Sequence, residues 1–514
     1  MTTHSVLEII AYGAWNGGTL TDNSKYENKG MFFKGGIPVN RKTIEERIGI
    51  RTRMAAPDDT RIGIIALQDL LKTSDITPER IKVIIGATNV GDDKYDVGPL
   101  IRHPFKAVQH LCPNAIPFDL YAGCPGYNVA VEMLFLLSSA GFLKKDDISV
   151  IVGAENIHRA KAFTPLDTSN IIFGDDAIAT ALETQCDRTP PEQPVSHARK
   201  KQTLTGDVEF DIAKTILSLI GKDKIDGIII DNQRGKLYYR VPATAARVQH
   251  KLVELMYPEA KNTGVFDSFK TALPFYNRHV DSFAFDIMSL SNDPLLVENI
   301  ATAYIQSGKY RRLISVHLPL NGEAVITLHQ GGGFSFDRPD FGIVDAHTKT
   351  HGCFANYIQA VPAENDIFGD MDGKGVFLYA TRGAQPHLNK LLTENNLSMD
   401  KIELLIEHQA NFAMIPMMLD KILATGQSDL KKDVRAYLSN KMITNIHTRG
   451  NCSVVCMQRL PYDLHRDALE PDIINGFPIN RNVKNLKSAK IILNDSVGAG
   501  MTRSSFLQIK NSRF

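Results

Sequence analysis

Several things are scarce in this chain of 514 residues. Six cysteines, Cys112, Cys124, Cys186, Cys353, Cys452 and Cys456, are scattered, and none forms a CxxC pair. That excludes a disulfide framework and a cysteine-rich zinc or redox motif, and points to reduced thiols in a cytoplasmic setting. There is no uninterrupted apolar run long enough to span a bilayer. The amino-terminal MTTHSVLEII lacks a basic segment followed by a long apolar one, so no secretory signal is expected. Charge of one sign is also lacking: the formal net charge is +1, which argues against a nucleic-acid-binding surface. A hydrophobic content of 43% is enough for a large core and excludes a disordered chain.

What is present is an alternation of strand-like and helix-like segments, the α/β pattern. Val83-Ile84-Ile85 and Ile148 to Val152 read as buried strands, and 126–140 and 295–306 as helices with apolar faces. The Pro-rich, polar and basic stretch 186–203 is the expected linker, and 330–340 a loop or second boundary. An internal repeat runs through the middle of the chain. Phe118-Asp119, Cys124 and a helix ending at Gly141 are echoed, 167 residues on, by Phe285-Asp286, Ser291 and a helix ending at Gly308. Val108-Gln109-His110 is echoed by Val248-Gln249-His250, Ile148-Ser149-Val150 by Ile314-Ser315-Val316, and Gly174 by Gly322. Residues about 204–329 therefore read as a duplicate of about 60–185.

Cys124 lies where the strand-like FDLYA meets a helix opening near Pro125. Proline suits the first turn of a helix. A thiol there sits at the positive end of the helix dipole, which favours the reactive thiolate. From these residues alone, Cys124 is either a nucleophile or a small core residue. His408 and Asn451 taken singly are equally open: a structural histidine and a turn asparagine fit as well. Glu155, in VGAEN after a buried strand, is a candidate second base or an exposed strand-end carboxylate. The DMDGKG segment (370–375) has the flavour of a calcium loop without its closing glutamate, so no metal site is expected.

Taken together and in order, the motifs resemble β-ketoacyl-acyl-carrier-protein synthase III of the thiolase superfamily. They are GIRTRMAAPDDT (49–60), AGCPG (122–126), IIFGDDAIATAL (171–182), MDGKGVF (371–377), EHQANFAMI (407–415), TRGNCS (448–453) and GAGMTRSS (498–505). The resemblance implies a five-layer αβαβα thiolase fold, with an inserted degenerate copy of its amino-terminal half. It divides the chain into an N-terminal half (1–190), the insert (204–329) and a C-terminal half (340–514). It implies a Cys124, His408 and Asn451 catalytic set, with the backbone N–H groups of Cys124 and Gly500 as oxyanion donors. Arg47, Gln409 and Asn411 are implied as contacts for substrate or carrier, the latter two also as braces of the histidine loop. The activity implied is Claisen condensation of an acyl group on Cys124 with a malonyl- or β-ketoacyl-thioester. Specialised fatty-acid or polyketide metabolism of the dialkylresorcinol or cyclohexanedione type fits the insertion. The alternatives are transfer of the acyl group to an oxygen or nitrogen acceptor, and a non-catalytic subunit that binds an acyl carrier.

No cofactor is implied beyond substrates carried as coenzyme A or acyl-carrier-protein thioesters. A homodimer or pseudo-dimer without membrane span is expected. Two departures stand out. Thr43 replaces the family's tryptophan four residues before Arg47, and LDTSN (166–170) lacks an expected arginine. Both weaken coenzyme A binding and favour a carrier protein, which Arg41, Lys42, Arg47, Arg51 and Arg53 would attract.

Overall fold

The computed structural model describes residues 6–57, 61–90, 110–158, 161–189, 195–234, 241–289, 293–332, 335–363, 366–423 and 430–511. Val108, Gln109, residues 190–194 of the expected linker and Ser291 lie outside them.

Runs of β-branched residues form a ten-stranded sheet. Its strands in chain order are β1 (Leu7–Ala14), β2 (Ile81–Ala87), β3 (Ile116–Tyr121), β4 (Ile148–Glu155), β5 (Asp176–Thr184), β6 (Ser196–Gln202), β7 (Gly227–Asn232), β8 (Phe283–Met288), β9 (Arg312–Leu318) and β10 (Ala324–Gln330). Their order across the sheet is β1-β5-β4-β2-β3-β8-β7-β9-β10-β6. On the first side β2 is parallel to β3 and β4, while β5 is antiparallel to β4 and β1. On the second, β7 is parallel to β8 and β9, while β10 is antiparallel to β9 and β6. The two sides meet where β3 and β8 run antiparallel, pairing Tyr121 with Asp286, Leu120 with Ile287 and Asp119 with Met288.

A second sheet of four strands has the order β11 (Gly342–Thr350), β14 (Thr502–Ile509), β13 (Ile491–Gly498) and β12 (Leu404–Glu407). Nine of the helices among the described residues frame the two sheets and the site: α1 (Arg41–Ile48), α2 (Ile62–Thr73), α3 (Gly126–Ser139), α4 (Val208–Ile220), α5 (Thr244–Met256), α6 (Leu295–Gln306), α7 (Gly373–Glu394), α8 (Met414–Leu423) and α9 (Cys456–His465). Every residue of α3 from Gly126 to Ser138 is buried, as an element apolar all round must be. It lies between the sheets. Asn128 Nδ2 donates to Ser504 O of β14 at 2.8 Å, and Glu132 accepts from Thr348 Oγ1 of β11. Helix α2 packs on the outer face of the first sheet against β1 and β5, and α7 on the outer face of the second against β11 and β14. The result is the αβαβα layering of the thiolase fold.

The structure revises the linker. Only residues up to about 195 connect the two sides; Ser196–Gln202 is the edge strand β6, paired with β10. Its run of His197, Arg199, Lys200 and Lys201 is exposed. Charged side chains on an edge strand guard it against pairing with other chains, and that polarity disguised the strand as a linker. The DMDGKG segment is a helix cap: Asp372 Oδ1 accepts from the N–H groups of Lys374 and Gly375 at the start of α7.

Candidate active site

Strand β3 leads to Cys124 in the turn just ahead of α3, with Pro125 as the residue before the helix. The turn needs glycine. Gly123 has φ +72°, and a Cβ there would lie 2.5 Å from Ala499 O. The facing loop is as close: a Cβ on Gly498 would lie 2.5 Å from Cys124 N. Residues 498–500 are thus pressed onto the cysteine turn, and Gly500, at φ +78°, follows directly. This places the two backbone groups expected to serve an oxyanion on facing loops.

His408 follows β12, and its N–H donates to Asp495 O of β13 at 2.9 Å. The ring is buried, with the Cys124 and Cys456 sulfurs as its electrostatic partners. Burial alone would lower its pKa; the two thiols outweigh burial and hold it well above the ordinary imidazole value. Cys456, for its part, is lowered to about 5: burial raises it, while hydrogen bonds from Cys452 and His408 more than offset that. Asn451 sits beside them. Its Oδ1 accepts from Ser453 N at 2.7 Å and from Cys456 Sγ at 3.8 Å, leaving Nδ2 as the donor for a ligand. The asparagine is fixed by Ile172 O and Gly174 N, which bond its backbone. Thus Cys124, His408 and Asn451 converge from three distant segments.

A second line of hydrogen bonds runs behind the sulfur. Ser453 Oγ donates to Cys124 Sγ at 3.3 Å, and Asn89 Nδ2 donates to Ser453 Oγ at 2.8 Å. The same Nδ2 donates to Glu155 Oε1 at 2.9 Å, while Val90 N donates to Oε2 at 3.0 Å. Glu155 is therefore a buried member of the site's network, not an exposed strand end. Burial raises its pKa to about 7 against the pull of these donors.

Behind His408 lies a buried charge cluster. Arg503 Nη2 lies 3.0 Å from Asp495 Oδ2 and 3.8 Å from Glu407 Oε1. Ser505 Oγ donates to Asp495 Oδ1 at 2.5 Å. Burial first, and then the Asp495 charge, raise Glu407 well above the ordinary carboxylate range.

The Gln409 amide is held by backbone groups. Its Nε2 donates to Ile443 O, its Oε1 accepts from the N–H groups of Asn445 and Ile446, and the side chain is fully buried. It braces the loop leading to Asn451. Asn411 Oδ1 accepts from Met414 N at the start of α8. Arg47 is exposed on α1, with its guanidinium 5.5 Å from the Phe33 ring centroid. Arg53 is removed from the carrier-attracting set: it is fully buried, donates to Asn23 Oδ1 and lies over Tyr26. Arg51 pairs with Asp472, Arg41 with Asp22 and, at 3.8 Å, Lys42 with Glu46.

Asn89, Ser453 and Cys456 were not visible as site residues in the sequence. Ser453 and Cys456 sit inside the GNCSVVC segment, so the spacing from Asn451 was available; Asn89 carried no signal beyond its place after a strand. Among the described residues, no group of three or more His, Cys, Asp or Glu side chains is arranged to hold a metal ion, and no helix is long and apolar enough to cross a membrane.

No family model matches the chain. Curated relatives do. A β-ketoacyl-acyl-carrier-protein synthase III of Blochmanniella floridana is 24% identical over 243 residues, covering 44% of this chain and 67% of that protein. The enzyme of the same name from Prochlorococcus marinus (strain MIT 9313) is 32% identical over 145 residues, covering 27% of this chain and 40% of its own length. The matched part thus spans about two fifths of that relative. Among solved structures, synthase III of Thermus thermophilus superposes with a TM-score of 0.53 at 15% identity, covering 98% of this chain and 99% of that one. That of Aquifex aeolicus gives 0.52 at 16%, covering 98% and 100%. OleA of Xanthomonas campestris gives 0.50 at 9%, covering 99% and 100%. The chain is thus similar in sequence to β-ketoacyl-acyl-carrier-protein synthase III enzymes over part of its length, and it shares the thiolase fold of the solved structures.

Proposed function

We propose that the chain is a condensing enzyme that carries an acyl group on Cys124 and extends it with a second acyl thioester. The observation that carries this reading is the convergence of Cys124, His408 and Asn451 at one turn. In the resting site, His408 and the thiols form a proton-sharing cluster, in which an imidazolium favours thiolate. Thiolate at Cys124 attacks the incoming thioester carbonyl; its carbon–sulfur bond breaks and the carrier thiol leaves. The Cys124 and Gly500 N–H groups are suited to the oxyanion of that step.

Acylation removes Cys124 as a partner of His408, so burial pulls the imidazole toward its neutral form. Neutral His408 Nε2 and Asn451 Nδ2 then serve as donors to the carbonyl oxygen of a malonyl- or β-ketoacyl-type extender. As carbon dioxide leaves a malonyl unit, charge builds on that oxygen. The carbanion attacks acyl-Cys124, a carbon–carbon bond forms, the Cys124 carbon–sulfur bond breaks, and a β-keto thioester departs. Glu155, joined to Cys124 through Asn89 and Ser453, is suited to act as a second base in this cycle. Acyl-carrier-protein or coenzyme A thioesters are the substrate class, with products of the specialised fatty-acid or polyketide type.

The test is intact-protein mass spectrometry after incubation with a panel of acyl thioesters, followed by addition of malonyl thioester. Expected is an acyl adduct on Cys124, then loss of that adduct with release of carbon dioxide and a β-keto product. Transfer to an added alcohol or amine, without carbon dioxide, would replace condensation by acyl transfer. No adduct from any thioester would leave a non-catalytic carrier-binding role.

A further inference from the structure

The joint at the middle of the ten-stranded sheet is self-complementary. Asp119, Leu120 and Tyr121 face Met288, Ile287 and Asp286. The repeat equates Phe118-Asp119 with Phe285-Asp286, an offset of 167 residues. At that offset Leu120 faces its own counterpart, and Asp119 faces the counterpart of Tyr121. A two-fold joint between like surfaces has this property. On either side the strands follow one order: β6 to β10 take the places of β1 to β5. Helix α6 follows β8 as α3 follows β3.

We propose that residues 196–330 are a built-in, catalytically silent partner half whose helix α5 forms one wall of the acyl pocket at Cys124. This rests on the reading of Cys124 as the acyl carrier. The contact is with the loop that covers the cysteine turn. A Cβ added at Gly500 would lie 3.4 Å from Ala246 Cβ and 3.9 Å from Pro242 Cβ. The C-terminal half grips the same turn of α5 elsewhere. Gly352 N donates to Gln249 Oε1 at 2.9 Å, and a Cβ at Gly352 would lie 2.1 Å from Ala246 O. Ala360 N donates to Val241 O at 2.8 Å.

Within the insert the turn is held by Asp286. Its two carboxylate oxygens accept from Thr244 N and Ala245 N, each at 2.8 Å, and Asn232 Nδ2 donates to it at 3.2 Å. Asp286 is also the residue opposite Tyr121 in the joint, three positions before Cys124. Joint, cap and wall therefore form one mechanical unit. Strand β8 fills the edge of β3, so a second copy of the chain has no edge to pair with there. The insert has no second histidine–asparagine motif pair, which leaves its own half without catalytic partners. The wall residues Pro242 and Ala246 are apolar and small, so the ligand portion they face is the alkyl part of the acyl group.

The experiment loads wild type, Ala246→Leu and Ala246→Gly with saturated acyl thioesters of increasing chain length, read by intact and native mass spectrometry. Ala246→Leu is expected to lower the ratio of long- to short-chain loading by about tenfold or more, the scale on which a methylene is discriminated in a packed pocket. Ala246→Gly is expected to move that ratio the other way. The acyl mass shift is expected on a single chain of 57.0 kDa. Unchanged ratios in both folded variants, or an acyl shift found only on species of two chains, would overturn the proposal. If Ala246→Leu does not fold, the ratio in Ala246→Gly decides alone. Wild type that loads no thioester refutes the catalytic reading together with this one; wild type that loads, with unaltered ratios in the variants, refutes only the wall.

Discussion

Ser453 Oγ donates to Cys124 Sγ at 3.3 Å, across 329 residues of sequence. Ser453 itself sits at φ +50°, a left-handed conformation that a β-carbon disfavours. Its N–H also orients Asn451. One residue thus touches both the sulfur and the carboxamide. Ser453→Ala keeps the backbone donor and removes the hydroxyl. Alkylation of Cys124 by iodoacetamide should slow by about tenfold, the worth of a hydrogen bond to a charged group. An unchanged rate would show that the hydroxyl does not act on the thiolate.

Removing Cys124 should abolish the acyl adduct altogether; Asn451→Ala should retain loading and lose condensation, whereas His408→Gln should slow loading and also lose condensation. Loss of one donor to a developing oxyanion costs on the order of 10²–10³ in turnover. Single-turnover assays with pre-acylated protein separate the two steps. Equal loss of loading and condensation in the asparagine variant would contradict its assigned role.

Cys456→Ala takes away one of the two thiols that raise His408. Burial, the largest influence on that ring, lowers its pKa, so the imidazole should become neutral at a lower pH than in wild type. Titration of the carbon-labelled histidine resonance reads this directly. A shift to higher pH would mean that Cys456 is not the partner the geometry makes it.

Glu155 has a folded pKa raised to about 7 from an ordinary value of 4.5. The folded state therefore holds its proton more tightly than the unfolded chain does. Its contribution to stability is fully present below about pH 4.5 and is lost as pH rises toward 7, by up to ~3 kcal/mol. Glu155→Gln should flatten stability over that window in urea titrations at several pH values. The same variant should still load Cys124 but form less product; undiminished product would remove Glu155 as a base.

The cluster behind His408 predicts an asymmetry. Arg503→Met leaves the buried Asp495 carboxylate without its cation and should cost about 3–5 kcal/mol. Glu407→Gln replaces a carboxyl whose neutral form burial favours with a neutral amide of similar shape, and should change stability by under about 1 kcal/mol. Denaturant melts of the two variants compare them; equal losses would mean that Glu407 is ionised.

Much of the architecture was legible because it is local. The helices at 126–140 and 295–306, the buried strands and the cysteine turn follow from periodicity, proline placement and glycine spacing. The expected duplicate pattern of 204–329 rests on the order of matched residues along the chain. Edge strand β6 was not, because an edge shows solvent the same polar face that a linker does. Gln409 was expected as a contact or as a brace of the histidine loop, and its amide satisfies three backbone groups that appear only once residues 443–446 fold beside it.

The sequence by itself carried an α/β alternation and a set of ordered motifs, whose resemblance to β-ketoacyl-acyl-carrier-protein synthase III implied the thiolase-type layering and nominated Cys124, His408 and Asn451 together, though the residues around each one leave it open. Only the tertiary structure decided that Asn89, Ser453, Glu155 and Cys456 share one hydrogen-bonded cluster with them, and that Ala246 lies against the Gly500 loop. Those relations join residues far apart in the chain. They are set by how sheets and helices pack in three dimensions, a quantity that no short stretch of residues encodes.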